Sequence, residues 1–241
     1  DANSENASRI EVIRGPATAY YGSNAVHGMI NVVLPDPEAG GELSFEAGPR
    51  GSQRLNATYG AENGGFKHMF LANGAREEGF RANSGYDQQK LSWRYQYTTA
   101  GGYALDGGFT VTNLNQETAG YVEGKDNYKN GSLRTSNPNP EAYRDNQSMR
   151  VWTRVTKELA NGWELVATPY YRKADLNFIQ HFLPGLPTED NQHTSVGVQM
   201  AGYRDLSDAT MLSFGLDVEA TEGSLLQQQR FPTVGSAALR A

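Results

Sequence analysis

The chain has 241 residues, of which 38% are hydrophobic and 10% aromatic, with a formal net charge of -6; this suits one β-rich domain or two smaller ones and excludes a disordered chain. No basic excess points to nucleic acid, and no run of about 18 apolar residues could cross a bilayer as a helix, so a helical membrane protein is excluded. Cysteine is absent, which removes disulfides and thiolate metal sites, while 27 glycines and 13 tyrosines suit many tight turns and strands with one wet face.

The first residues, DANSENAS, hold no charged-then-apolar signal segment, as in a cytosolic protein or one whose leader has been removed. Ile10 and Val12 then alternate with Arg9, Glu11 and Arg14, as in a strand. Gly15-Pro16 stops it, Ala17 to Tyr21 suit about one helical turn with Pro16 near its start, and Gly22 ends that turn. Met29 to Leu34 is a nearly continuous apolar run, the pattern of a strand covered on both faces.

From Gly41 the period becomes two. Faint alternation runs over Gly41 to Ala47, Arg54 to Ala61 and Phe66 to Arg76. In KLSWRYQYT, Leu91, Trp93, Tyr95 and Tyr97 share one face, and Ser92, Arg94 and Gln96 share the other. Tyr103 to Thr118 follows. In MRVWTRVTK, Met149, Val151 and Val155 oppose Arg150, Arg154 and Thr156, and after Trp163 to Arg172 the segment TSVGVQMAGY sets Val196, Val198 and Met200 against Ser195, Gln199 and Tyr203. MLSFGLDVEAT is the clearest, with Leu212, Phe214, Leu216, Val218 and Ala220 on one face and Ser213, Gly215, Asp217, Glu219 and Thr221 on the other. The spacing predicts roughly nine strands, mostly of about 9 to 15 residues, longer than the usual globular strand of about 5 to 6.

Two architectures use such strands. A soluble sandwich turns the apolar faces into a core, whereas a transmembrane barrel turns them toward lipid and needs about 9 to 11 residues per tilted strand to span. The links favour the barrel. From the third strand onward they run EEGFRANSG, TAGG, a polar stretch from Ala119 to Asn146, ELANG, Asn177 to Gln192 and DLSDA, so long and short alternate. An antiparallel barrel with tight turns at one end and extended loops at the other has this pattern, and a Greek-key sandwich has no reason to.

The stretch RIEVIRGPATAYYGSNAVHGMINVVLP carries a resemblance. It is similar to the closing segment of the plug domain of TonB-dependent outer-membrane receptors, with Glu11, Val12, Arg14, Gly15, Pro16, Tyr21, Gly22, Ala25, Gly28, Ile30 and Asn31 in the family's pattern. His27 departs from it, at a place that usually holds a small residue. The resemblance covers about the first 35 residues and implies residues 1–36 as the C-terminal part of a plug and 37–241 as the first part of an outer-membrane β-barrel. It implies active import of a scarce solute across the outer membrane of a Gram-negative cell, a ferric siderophore or related iron chelate foremost. The TonB–ExbB–ExbD complex would be the energising partner through a segment outside this chain, and outer-membrane lipid the surrounding medium. No cofactor, resident metal, nucleic acid or enzymatic activity is implied. Family barrels have about twenty-two strands, so the chain is expected to be a fragment. A passive porin-like barrel and a soluble β-rich binding or adhesion domain are the alternatives.

Within the resemblance, Glu11, Arg14, Gly15, Pro16, Tyr21, Gly22, Gly28 and Asn31 are the plug-motif and plug–barrel residues. Arg14 is the candidate for a wall carboxylate, with Glu46, Glu164 and Glu219 as stand-ins inside this chain. Tyr121, Tyr128, Arg134, Tyr143 and Arg144 are candidate ligand contacts of the longest loop, aromatics for stacking and arginines for anionic chelates. Ser23, His27 and Asp36 form no recognisable triad, because no nucleophile elbow surrounds Ser23. His181, Glu189, Asp190 and His193 lack metal-site spacing and read as a solvated, proline-rich loop. By the family's topology, the first wall strand starts at the periplasmic side, so the long links lie outside the cell and the short ones in the periplasm.

Overall fold

The structure of the protein, a computed structural model, describes residues 4–16 and 25–229. The helical turn expected over 17–21 and its end at Gly22 lie outside the described residues. A single 3-10 turn, Ser4–Asn6, leads into a two-stranded antiparallel ribbon of β1 (Arg9–Arg14) and β2 (Gly28–Val33), with Arg14 opposite Gly28 and Arg9 opposite Val33. Here one expectation is corrected. Strand β2 is not covered on both faces: Ile30 is 70% exposed, opposite the exposed Val12. An apolar run reads as doubly buried when it sits inside a sheet, and β2 has one neighbouring strand among the described residues.

The remainder is one sheet of nine strands: β3 (Gly40–Ala47), β4 (Gln53–Asn63), β5 (Phe66–Glu77), β6 (Tyr86–Thr98), β7 (Tyr103–Glu117), β8 (Tyr143–Glu158), β9 (Trp163–Ile179), β10 (Thr188–Ser207) and β11 (Thr210–Gln228). Each pairs antiparallel with the next in sequence, with no crossover. This is a meander, as a barrel wall requires, and it has no Greek-key step.

Several strands outrun the expected lengths, β9 reaching 17 residues, β11 19 and β10 20. The polar ends of β9 and β10 keep pairing until Ile179 meets Thr188, so the link expected over 177–192 shrinks to 180–187. Likewise β8 begins at Tyr143, which confines the longest link to 118–142. A side chain's polarity does not stop a ladder whose bonds are made by the backbone. From β5 onward the links are 78–85, 99–102, 118–142, 159–162, 180–187 and 208–209. Long and short still alternate. Strand β3 starts beside the end of β4, with Gly40 opposite Gly60, so the N-terminal segment joins the wall at the short-turn end.

The two faces of this sheet differ in chemistry and in cover. Lys90, Ser92, Arg94, Asn73 and Thr112 are buried on the face that the N-terminal segment lies against. Side chains there bond across strands: Asn73 donates to Asn56 at 2.6 Å, and Thr112 and Ser148 lie 2.7 Å apart. Linker residues cross this inner face, where Pro37 is fully buried. Gly60 lets the linker approach, since a Cβ there would meet the Glu38 carbonyl oxygen at 1.9 Å.

The opposite face is apolar and bare. Leu43, Phe45, Tyr59, Leu91, Val151, Phe214, Leu216 and Val218 are all exposed on it. A soluble protein rarely exposes a contiguous apolar patch beyond a few hundred Å². Aromatic rings gather on the outward side near the short turns, Phe66 stacking on Tyr95 with centroids 6.0 Å apart and Trp163 edge-on to Phe214 at 5.5 Å. Such a ring belt is expected where a barrel meets the membrane interface. The sandwich reading therefore fails on the direction in which the apolar face points.

Candidate functional site

The N-terminal ribbon concentrates the motif residues. Glu11 accepts a hydrogen bond from Asn31 Nδ2 at 2.9 Å and another from Arg9 Nε at 2.6 Å. These two donors, Asn31 first, hold its carboxyl below the usual carboxylate range. Gly28 has φ +132°, and a Cβ on it would lie 2.3 Å from the Ile13 carbonyl oxygen, so the pairing of β1 with β2 demands glycine there. Gly15 donates its backbone N–H to the His27 carbonyl at 3.3 Å, and Pro16 follows it, exposed. Arg14 is exposed and makes no ion pair among the described residues. Of its three stand-in carboxylates, Glu46 approaches Arg54 at 3.9 Å, Glu219 binds Arg172 at 2.6 Å, and Glu164 sits in the sheet opposite Glu158 and Tyr203. Tyr21 and Gly22 lie outside the described residues.

Two cations of β6, singled out by no motif, tie the N-terminal segment to the wall. Lys90 Nζ donates to both oxygens of Glu5, at 2.9 and 3.1 Å, and its side chain is only 6% exposed. Burial pushes the Glu5 carboxyl up, but the bonds from Lys90 and from its own backbone outweigh this and leave it below its ordinary value. Arg94 is held by a two-pronged bond to Asp106 at 2.8 and 3.0 Å, which aims its other nitrogen at the carbonyls of Leu34 and Pro35, each 2.9 Å away. Asp36 adds a looser ion pair to Arg94 at 3.4 Å and accepts from Gln96. A cavity of about 380 Å³ remains between the segment from Glu5 to Ser8 and the inner residues Glu42, Asn56 and Leu71. Lys90 and Arg94 are the first and fifth residues of KLSWRYQYT, both on its polar face, and that was the available signal; their partners were invisible because Glu5 lies 85 positions from Lys90, and Leu34 and Pro35 lie 60 and 59 from Arg94.

At the long-loop end the links 78–85 and 118–142 form one unit. Arg81 donates to the Ser136 carbonyl at 2.8 Å and to the Gly120 carbonyl, Ala82 N–H donates to Thr135 at 2.8 Å, and Asn137 reaches the Asn83 carbonyl at 2.8 Å. Arg134 lies over the Phe80 ring at 6.0 Å. Tyr121 and Tyr128 project into solvent from the same loop. Tyr143 and Arg144 belong to β8 rather than to the loop, and consecutive strand residues face opposite ways. Tyr143 bonds Asn177 on the outward side, while Arg144 lies over Phe178 on the inner side, so the five candidates do not converge on one point.

The histidine cluster also disperses. His181 stays in the link 180–187, whereas Glu189, Asp190 and His193 are ladder residues of β10, with Glu189 and Asp190 on opposite faces. The proline-rich loop expected to hold all four is thus shorter, for the backbone-pairing reason given above. Among the described residues no group of three or more His, Asp and Glu side chains could hold a metal ion. His27 is exposed, and Asp36 is engaged with β6.

No protein-family model matches the chain. Over 99 residues it is 38% identical to the vitamin B12 transporter BtuB of Vibrio vulnificus, an alignment covering 36% of this chain and 16% of that protein. Its fold superposes on the ferric citrate transporter FecA with a TM-score of 0.77 at 14% identity, covering 98% of this chain and 38% of that one. The siderophore receptor PiuA of Acinetobacter baumannii gives 0.73 at 13% identity, covering 92% and 36%. The chain has the fold of the TonB-dependent outer-membrane receptors. It spans well under half the length of these relatives. The bare apolar face and the buried polar face are arranged as the lipid-facing and lumen-facing sides of such a barrel wall would be, and a pyoverdine outer-membrane receptor of Pseudomonas aeruginosa is among the similar structures. The similar proteins are receptors and transporters rather than enzymes, in keeping with the sequence.

Proposed function

We propose that residues 1–36 are the end of a plug and residues 37–241 the first wall strands of an importer that takes up a scarce solute under TonB drive. The observation that carries this is the seating of the N-terminal segment on the polar inner wall, through Lys90–Glu5 and the Arg94 contacts to 34–36. The motif residues Glu11, Arg14, Gly15, Pro16, Tyr21, Gly22, Gly28 and Asn31 add to it. A passive porin has no use for an occluding segment pinned inside it.

Ferric siderophores or related iron chelates lead as cargo, in line with the ferric citrate and siderophore receptors among the similar structures. Cobalamin is the second reading, favoured by the BtuB likeness. Tyr121, Tyr128 and Arg134 are the proposed ligand contacts of the joined loops, with Arg144 below them on the inner face, and Tyr143 the least placed to take part. Arg14, exposed on the ribbon, is proposed to meet a wall carboxylate outside this chain. The TonB–ExbB–ExbD complex is proposed to act through a segment also outside it. Uptake by cells carrying the whole receptor tests the proposal: import should stop when TonB is deleted, and import that continues would favour a porin. Growth of a receptor-deletion strain on single iron sources, and on cobalamin, identifies the cargo. Arg14→Ala should weaken uptake with ligand binding nearly intact.

A further inference from the structure

On the inner wall, away from the anchored segment, Arg150 of β8 and Arg172 of β9 are direct cross-strand partners. Like charges in that position repel, and sheets normally avoid the arrangement. One carboxylate binds one member of the pair, Arg172. Glu219 accepts from Arg172 at 2.6 Å, from Thr221 at 2.8 Å and from the Tyr170 hydroxyl, and Arg150 makes no ion pair among the described residues. The Nε of Arg172 is itself buried with no acceptor there. Asp217 is a neighbouring carboxylate on the same face, but it lies in the register row of Gln199 and Thr168 rather than that of the arginine pair. Hydroxyls flank the pair along its own row: Ser92 and Thr110 lie 3.0 Å apart on one side, and Ser195 and Thr221 2.8 Å apart on the other.

We infer that Arg150 and Arg172 form an oxyanion seat on the lumen wall. Two adjacent guanidinium forks match the two oxygens of a carboxylate or phosphate, and charge-assisted bonds of this kind are the strong ones. An oxyanion would turn the repulsion of the pair into a shared attraction. The oxyanion has two possible sources with the same chemistry: an acidic side chain of the receptor outside this chain, or a free anionic solute in the lumen. The seat does not depend on transport, so it stands or falls separately from the import proposal.

Thermal unfolding of the purified whole receptor, titrated with inorganic phosphate against chloride at equal ionic strength, tests the seat. For a free anion, phosphate raises the midpoint of the wild type, and Arg150→Gln or Arg172→Gln weakens phosphate binding by about tenfold. For a side chain of the receptor, phosphate has no effect, but Arg150→Gln lowers the midpoint more than Arg154→Gln, a neighbouring inner-face control. Equal phosphate effects in wild type and both variants would mean an adventitious ion only and overturn the seat. So would the absence of a phosphate effect combined with equal midpoints for Arg150→Gln and Arg154→Gln.

Discussion

The Glu5 carboxylate and the Lys90 ammonium meet at 2.9 Å, joining residues 85 positions apart and fixing the start of the chain to the inner face of β6. Glu5→Gln keeps the shape and removes the charge, and it should weaken this contact by about 1 kcal/mol. The folded-state pKa of Glu5 is depressed, so the stabilisation is complete above the ordinary carboxylate range and is lost as pH falls through the lower folded value. Hydrogen exchange of residues 4–8 in the whole receptor reads this directly. Wild type should be more protected than the variant at neutral pH and converge with it in acid; equal protection at pH 7 would count against the tie.

How much of this could be seen in the chain itself depends on the range of the interaction. Leu212 to Thr221 announce a strand because period two is local and the contrast between faces is large. The first residues of β10, Thr188 to His193, are polar on both faces, so nothing in their alternation marks them as ladder, and only pairing with β9 and β11 does. The wall's inner charges were visible as a polar stripe, yet Lys90–Glu5 and the two-pronged Arg94–Asp106 bond need the register before any partner can be named. Arg81 illustrates the same gap at the loop end, since its acceptors, Gly120 and Ser136, lie 39 and 55 positions away.

Arg94 should act as the clasp of the linker. Its side chain is 9% exposed and engaged by Asp106 and by the carbonyls of Leu34 and Pro35, so Arg94→Met removes the cation and leaves those acceptors and Asp106 without it. Loss of one partner from a buried charge cluster costs about 3 kcal/mol. Digestion of the whole receptor with a glutamate-specific protease should show faster cleavage at the exposed Glu38 in Arg94→Met. Arg94→Lys should fall between the two, because it keeps the charge and loses the fork. Unchanged cleavage in Arg94→Met would remove the clasp.

The ribbon's two glycines should differ in their tolerance of a methyl group. Gly28→Ala places a Cβ 2.3 Å from the Ile13 carbonyl oxygen at φ +132°, so the pairing of β1 with β2 must open, at a cost of about 2 kcal/mol or more. Gly15→Ala meets nothing within 4 Å and bears only the strain of φ +92°, about 1 kcal/mol. Thermal unfolding of the two variants in the whole receptor ranks them. Equal losses, or a larger loss for Gly15→Ala, would contradict the observed pairing of β1 with β2.

The orientation of the wall in the membrane can be tested by thiol labelling. The linker enters β3 at the short-turn end, the end that also holds the turns 99–102, 159–162 and 208–209, while 78–85, 118–142 and 180–187 lie at the other. The proposed import role puts long loops outside, where capture needs reach, and short turns in the periplasm, where the chain need only reverse. Ser132 in the longest link and Asn161 in a short turn are both exposed, and the chain has no cysteine of its own to confuse the readout. Ser132→Cys should react with a membrane-impermeant maleimide on intact cells. Asn161→Cys should react only after the outer membrane is opened, because the same reagent cannot otherwise reach the periplasmic rim. Labelling in the opposite order would invert the receptor, and equal labelling of both on intact cells would remove the membrane from between the two ends of the sheet.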